Sequence, residues 1–185
     1  MEEKILPDRL ESERLILRRP EKGDAADFYA YAGGDRVGPM AGWQPHRSIR
    51  DTKQIIAHYV KEGNVLAITT KETGRMVGTV GLHVDDHRPG TDVWQLGYAL
   101  SPAHWHEGIA GEAALTVLRY AFERKWMRIV TAYCYPENTA SRKLLERLGF
   151  RHEGCLRNSY LLYDGTVHDL DCFSITVEEY SDRYY

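Results

Sequence analysis

The spacing of apolar residues changes several times along the chain, and each change predicts an element. RLILRR (14–19) reads as a first strand. PEKGDAADFYAYA (20–32) reads as a helix with Pro20 near its start and Gly33-Gly34 as its stop. VGPMAGW (37–43) has no period. SIRDTKQIIAHYVKEG (48–63) predicts a second helix, with Ser48 as N-cap and Ile55, Ile56, Tyr59 and Val60 on one side. VLAITT (65–70) and MVGTVGLHV (76–84) predict two strands joined by a KETG turn, and DDHRPGTD (85–92) a loop. VWQLGYAL (93–100) predicts a strand that Ser101-Pro102 ends. From Ile109 the apolar positions Ala113, Ala114, Val117, Leu118, Ala121 and Phe122 predict a long amphipathic helix that runs to about Lys125. RIVTAYCY (128–135) is a strand, and NTASRKLLERLG (138–149) is a short helix between Asn138 and Gly149. Residues 150–177 read as two strands around the Asp164-Gly165 turn. Hairpin and crossover connections are mixed, so the class is α/β or α+β with a mixed sheet.

One stretch between a strand and a helix carries chemistry. HWHEGIAGEA (104–113) places Gly108, Ala110 and Gly111 at the opening of the long helix. The first turn of a helix has unpaired N–H groups and the positive end of the dipole. Small residues there let an anion reach the backbone, as in a pyrophosphate cradle. The competing reading is a helix start kept small for packing. The stretch has no Walker lysine and no GxGxxG, which disfavours nucleoside triphosphates and dinucleotides.

Composition narrows the partners. A net charge of −3 lacks the broad positive field of a nucleic-acid binder, so any anionic ligand is met locally. Cys134, Cys155 and Cys172 have no metal-like spacing, and their odd number suits reduced thiols in the cytoplasm. MEEKILPDRL is acidic and is not a signal peptide, and no run of 18 apolar residues predicts a membrane span. His83 and His87 are too isolated to argue for a metal. The length of 185 residues suits one domain, 1–185. Glu153 and Arg157 are spaced to pair near a strand start. Trp43 either lines a pocket or covers the core.

The order strand, Gly-rich loop, long helix, strand and then PENTASRKLLERLGF (136–150) resembles the GNAT superfamily of acetyl-CoA-dependent N-acetyltransferases. RLILRRP, GYALSPAHWHEGIAGEA and GFRHEGCLRNSYLLYDGTVHD further resemble its RimJ/RimL branch, which acetylates the α-amino group of ribosomal proteins. Tyr160-Leu161-Leu162 with Asp164-Gly165 and Asp169 is nearer to RimJ. The resemblance covers about residues 10–178. It implies a GNAT fold, a mixed central sheet of about six or seven strands flanked by helices and splayed where acetyl-CoA binds. The family's Gln/Arg-x-x-Gly-x-Gly/Ala motif stands here as Trp105-His106-Glu107-Gly108-Ile109-Ala110, so the first position departs.

The resemblance implies roles. Tyr98, Ala99 and Leu100 would offer strand-edge backbone to the pantetheine arm. His106, Glu107, Gly108, Ile109, Ala110 and Gly111 would hold the pyrophosphate by backbone N–H. Asn138 would bond the pantetheine, and Ser141 would lie near the thioester sulfur. The position where many members carry an acidic Tyr is Leu145, which leaves Ser141 as the candidate hydroxyl. Gln95 stands where many relatives have a Glu, and Tyr160 where the RimL pattern has one. Tyr160 could position the amine or a water, and the base stays unassigned. The cosubstrate is acetyl-CoA and no metal is implied. The acceptor is a protein N-terminus, with a small amine as the rival and a weak acyl-CoA-binding module as a third reading. No nucleic acid or membrane partner is expected, and a homodimer is left open.

Overall fold

The computed structural model describes residues 4–185. The strands are β1 (Arg9–Glu11), β2 (Leu15–Arg18), β3 (Val65–Thr70), β4 (Met76–Val84), β5 (Val93–Leu100), β6 (Ile129–Cys134), β7 (Arg151–Leu161) and β8 (Val167–Thr176). The helices are α1 (Ala25–Ala32), α2 (Ile49–Glu62), α3 (Ile109–Glu123), α4 (Thr139–Leu148) and α5 (Val177–Tyr184). The sheet order is β1-β2-β3-β4-β5-β6-β8-β7. Among the described residues the sheet has eight strands, against about six or seven expected; the additional one is β1, a three-residue strand paired to β2 through the Ser12–Arg14 turn. β5 and β6 are parallel, with α3 between them in sequence, while β6–β8 and β7–β8 are antiparallel. This is a mixed sheet, as the resemblance implied.

Contacts gather the chain into two units. The first holds the chain up to Leu82 together with Tyr98–Val117, and the second holds His83–Gly97 with Leu118–Tyr185.

In the first unit α1 and α2 bury Phe28, Tyr31, Ala32 and Ile56 against Ala67, Met76 and Ala99. Capping explains where α2 lies. Ser48 accepts from Asp51 N–H at 3.1 Å, and Gly63 takes the left-handed conformation and donates to Tyr59 O. The buried face of α2 is Thr52 and Ile56, whereas Val60 is exposed. His46 is buried, with Nδ1 2.9 Å from Thr52 Oγ1 and Phe28 edge-on to its ring. Trp43 packs against this core and so covers it.

In the second unit the β5–β6 ladder covers Val93–Gln95 against Ile129–Thr131. β6 keeps β8 as its partner as far as Cys134. Asn138 caps α4 by accepting from Ser141 N–H at 3.1 Å, and Gly149 ends it at φ 93°. α5 follows β8 directly, where Thr176 and Glu179 form a reciprocal capping box. Leu145 and Leu148 form the inward face of α4, and Leu145 is fully buried. A phenol at that position would have to displace core, so the leucine belongs to packing.

Leu145→Ala should therefore lower unfolding free energy by about 2–5 kcal/mol. Urea titration of wild type and variant checks it. A change under about 0.5 kcal/mol, typical of surface sites, would show that the position tolerates exchange.

Candidate functional site

The expected site residues divide between the units. The first unit carries Tyr98, Ala99, Leu100 and His106–Gly111; the second carries Gln95, Asn138, Ser141 and Tyr160.

In the first unit β5 leads into a short 3₁₀ turn, Pro102–His104, and then into α3. Ser101 N–H donates to Val77 O at 2.8 Å, which fixes where β5 ends. β5 runs close along β4: a Cβ on Gly78 would lie 2.4 Å from Ala99 O, so only glycine fits there. Trp105, at the departing motif position, donates Nε1–H to Leu100 O at 3.0 Å and lies under the Arg36 guanidinium, 5.0 Å from the ring centroid. The tryptophan thus braces the loop.

The cradle follows. His106 and Gly108 both have positive φ, 67° and 78°. For the histidine this is an uncommon conformation. The first helical bond is Glu112 N–H to Gly108 O at 3.1 Å, so the N–H groups of Ile109, Ala110 and Gly111 precede the α3 ladder. A Cβ on Gly111 would meet no atom within 4 Å. Backbone that changes hand into an open first turn makes an anion-binding concavity. These residues fit a pyrophosphate.

Glu112 anchors this turn. Its Oε1 accepts from Ser12 Oγ at 2.7 Å and from Arg14 N–H at 2.8 Å; Oε2 accepts from Arg14 Nε at 2.7 Å. Arg14 Nη1 also donates to Glu107 O at 3.0 Å. Burial alone would raise the Glu112 pKa, but the bonds from Ser12 and Arg14 outweigh it and hold the carboxyl below its ordinary value. The sequence reading did not find this clamp. Its partners lie 98 to 100 residues from Glu112 in the sequence, and no local pattern marks Ser12 or Arg14 as belonging with it.

In the second unit Gln95 closes the β5–β6 ladder opposite Thr131. Ser141 stands at the third position of α4, and its hydroxyl bonds the Cys134 thiol. Burial, then the nearby Asp171 charge, push that thiol up to about 11, so it is protonated at neutral pH and a poor nucleophile. Arg142 is engaged by Asp171 at 3.3 Å and Glu146 at 3.2 Å. Tyr160 on β7 pairs with His168 on β8, and its ring stands edge-on to Tyr135, centroids 6.1 Å apart. Burial, then Tyr160, push the Tyr135 phenol up to about 12.

Also unforeseen is a buried carboxylate, Asp85, in the segment expected as a loop. It accepts from Thr131 Oγ1 at 2.7 Å, Tyr133 OH at 3.0 Å and His87 N–H at 2.8 Å. Burial would raise its pKa, yet these bonds and Arg88 hold it below the ordinary value. Glu153 pairs with Arg88 and accepts from Ser174 Oγ at 2.7 Å, rather than pairing with Arg157 as expected. A cavity of about 470 Å³ opens beside them, lined by His87, Arg88, Tyr133, Glu153, Cys155 and Cys172. None of the expected site residues lines it. Among the described residues no group of three or more His, Cys, Asp or Glu side chains could hold a metal ion, and no helix is long and apolar enough to cross a membrane.

Comparison with known proteins adds the family. A family model described as an acetyltransferase (GNAT) domain matches residues 14–151. The uncharacterized N-acetyltransferase YoaA of Bacillus subtilis (strain 168) is 32% identical over 173 residues, covering 90% of this chain and 95% of its own. The [ribosomal protein uS5]-alanine N-acetyltransferase of Escherichia coli (strain K12) is 25% identical over 189 residues, covering 94% and 93%. A GNAT-family acetyltransferase from Bacillus anthracis has the same fold, with a TM-score of 0.84 at 23% identity over 92% of this chain and 99% of that one.

Two outcomes follow from the cradle and its anchor. A helical Cβ leans toward the helix N-terminus, so a side chain at Gly111 would overhang the first turn. Gly111→Ala should gain about 0.5–1 kcal/mol in stability, while Gly111→Leu should fold and lose about tenfold or more in acetyl-CoA affinity. Thermal melting and calorimetric titration measure the pair; equal affinity in Gly111→Leu and wild type would end the phosphate reading of the turn. Glu112 has a depressed folded pKa, so its contribution is present above the unfolded value of about 4.3 and is lost as pH falls through the folded pKa. The stability gap between wild type and Glu112→Gln should be constant near neutrality and narrow below about pH 4. Urea midpoints across a pH series check this.

Proposed function

The chain belongs to the acetyltransferase (GNAT) family, and on that premise we propose that it transfers acetyl from acetyl-CoA to the α-amine of a protein N-terminus, by direct attack in a ternary complex. The observation that carries the reading is the open first turn of α3, preceded by left-handed His106 and Gly108. Bound acetyl-CoA supplies the acetyl group as an activated thioester. In the first unit the N–H groups of His106–Gly111 hold its pyrophosphate, and Tyr98–Leu100 present backbone to the pantetheine arm. In the second unit Asn138 bonds the pantetheine, and the Ser141 hydroxyl, already a partner of the Cys134 thiol, donates toward the departing sulfur. Gln95 and Tyr160 position the amine or a water. We take residues 1–185 as one acetyltransferase domain acting in the cytoplasm.

The choice of acceptor rests on proton chemistry. An α-amine has a pKa near 8 and a lysine side chain near 10.4. At neutral pH the α-amine is about a few hundred times richer in its nucleophilic form. Gln95 is an amide and accepts no proton as a base, and no carboxylate base is assigned among the site residues, so the amine that sheds its proton most readily is favoured. The relative named for the alanine N-terminus of uS5 supports the same class of acceptor.

The test is a peptide with a free N-terminus and one internal lysine, offered with acetyl-CoA alongside spermidine. We expect label on the N-terminus, at a rate rising toward about pH 8. Mass spectrometry locates it. Label mainly on the lysine, or only on spermidine, replaces this acceptor with a small amine or side chain. Acetyl-CoA binding without thiol release on any amine leaves a binding module.

A further inference from the structure

We propose that Arg14, reaching from the β1–β2 turn, is a phosphate-binding residue of the cradle and supplies the side-chain cation that the loop itself lacks. This rests on the acetyl-CoA reading and adds a residue to it. Three groups of Arg14 are already accounted for: its backbone N–H and Nε bond Glu112, and Nη1 bonds Glu107 O. These bonds fix the plane of the guanidinium. The remaining nitrogen, Nη2, has no acceptor among the described residues, and the side chain is 51% exposed. A Cβ on Gly108 would have Nη2 as its one neighbour within 4 Å, at 3.5 Å. The unused end of the fork therefore lies beside Gly108, the residue that immediately precedes α3 and its open first turn.

Several of the other side chains around the loop are committed elsewhere. Trp105 is bonded to Leu100 O, and Arg36 lies over the Trp105 ring. Glu107 Oε2 is 3.1 Å from His104 Nδ1. Both oxygens of Glu112 are taken up by Ser12 and Arg14. A guanidinium held by two bonds has little rotamer freedom left to lose, so its third nitrogen can bond a phosphate oxygen with little further ordering. Glu112 then has two tasks, anchoring the helix start and aiming the arginine.

The test separates phosphate contact from scaffold. Affinities of wild type and Arg14→Gln are measured by calorimetry for CoA, for 3′-dephospho-CoA, which keeps the pyrophosphate, and for S-acetylpantetheine, which lacks it. Arg14→Gln should weaken CoA and dephospho-CoA alike, by about 10- to 100-fold, and leave acetylpantetheine within about twofold. Arg14→Lys keeps charge and a bond to Glu112 without the fork. It serves if the glutamine variant does not fold, and should show a smaller loss for the same two ligands. Equal losses for all three ligands would make Arg14 a scaffold residue and overturn the proposal. So would unchanged CoA affinity, or a loss confined to CoA, which would move the contact to the 3′-phosphate. A wild-type protein that binds none of the three fails the acetyl-CoA reading itself, a different result from any of these.

Discussion

A single carboxylate, Glu112, fixes the start of α3. Its side chain ties the first turn of that helix to the β1–β2 turn through a hydroxyl, a backbone N–H and a guanidinium. Half-buried charges are stable only when fully bonded, and here every oxygen has a donor. In the first helical turn Ile109 is buried and supplies the apolar anchor, while Ala110 and Gly111 carry little side-chain volume and leave the approach to the backbone open. The charge network of Glu112 adds a second tie that does not crowd that approach. Openness and rigidity of the loop therefore have different sources.

The second unit solves a similar problem with a cap. Asn138 spends its carbonyl oxygen on the N–H of Ser141, and this sets the residue whose hydroxyl meets Cys134. The bland role of Asn138 and the chemical role given to Ser141 are thus one geometry. Leu145 lies on the inward face of the same helix, which must be apolar to pack on the sheet. Nearby, Asp85 shows that a buried carboxylate can stay ionised when hydroxyls and a backbone N–H replace water.

Elements with strong periodicity and marked ends were legible in the sequence. α2 and α4 each carry a polar N-cap and a glycine stop, and both lie within a residue or two of their expected bounds. β1 was invisible because three residues cannot show an alternation. α5 was hidden by the apolar run of β8, although Thr176 and Glu179 carry the spacing of a capping box. At the site, the small residues that open α3 stood out in the sequence, but glycine and alanine at a helix start suit packing as well as an anion, so the pattern alone did not choose between them. The Glu112 clamp did not stand out, since nothing local marks a contact made across most of the first hundred residues. The left-handed turn at His106 was missed for a related reason: a non-glycine residue gives no sign that it will be forced past φ zero. Leu145 shows a further case: its lack of a proton to donate was plain from the sequence, while its place in the core was shown by the packing.

β7 ends the sheet order and is bonded to β8 on one side. An eleven-residue strand with an open flank is a template for a stray chain. Its ladder with β8 is interrupted twice, between His152 and Gly154 and between Leu156 and Tyr160, and Gly154 and Asn158 take positive φ at those breaks. Each break turns the next N–H and C=O out of line, while Arg151, Glu153 and Arg157 bring charge along the strand. No regular stretch of β7 is long enough for a flat hydrogen-bonded row to form against it. The irregularity of the strand that carries Tyr160 thereby works against the recruitment of unfolded copies of the chain into an extended sheet.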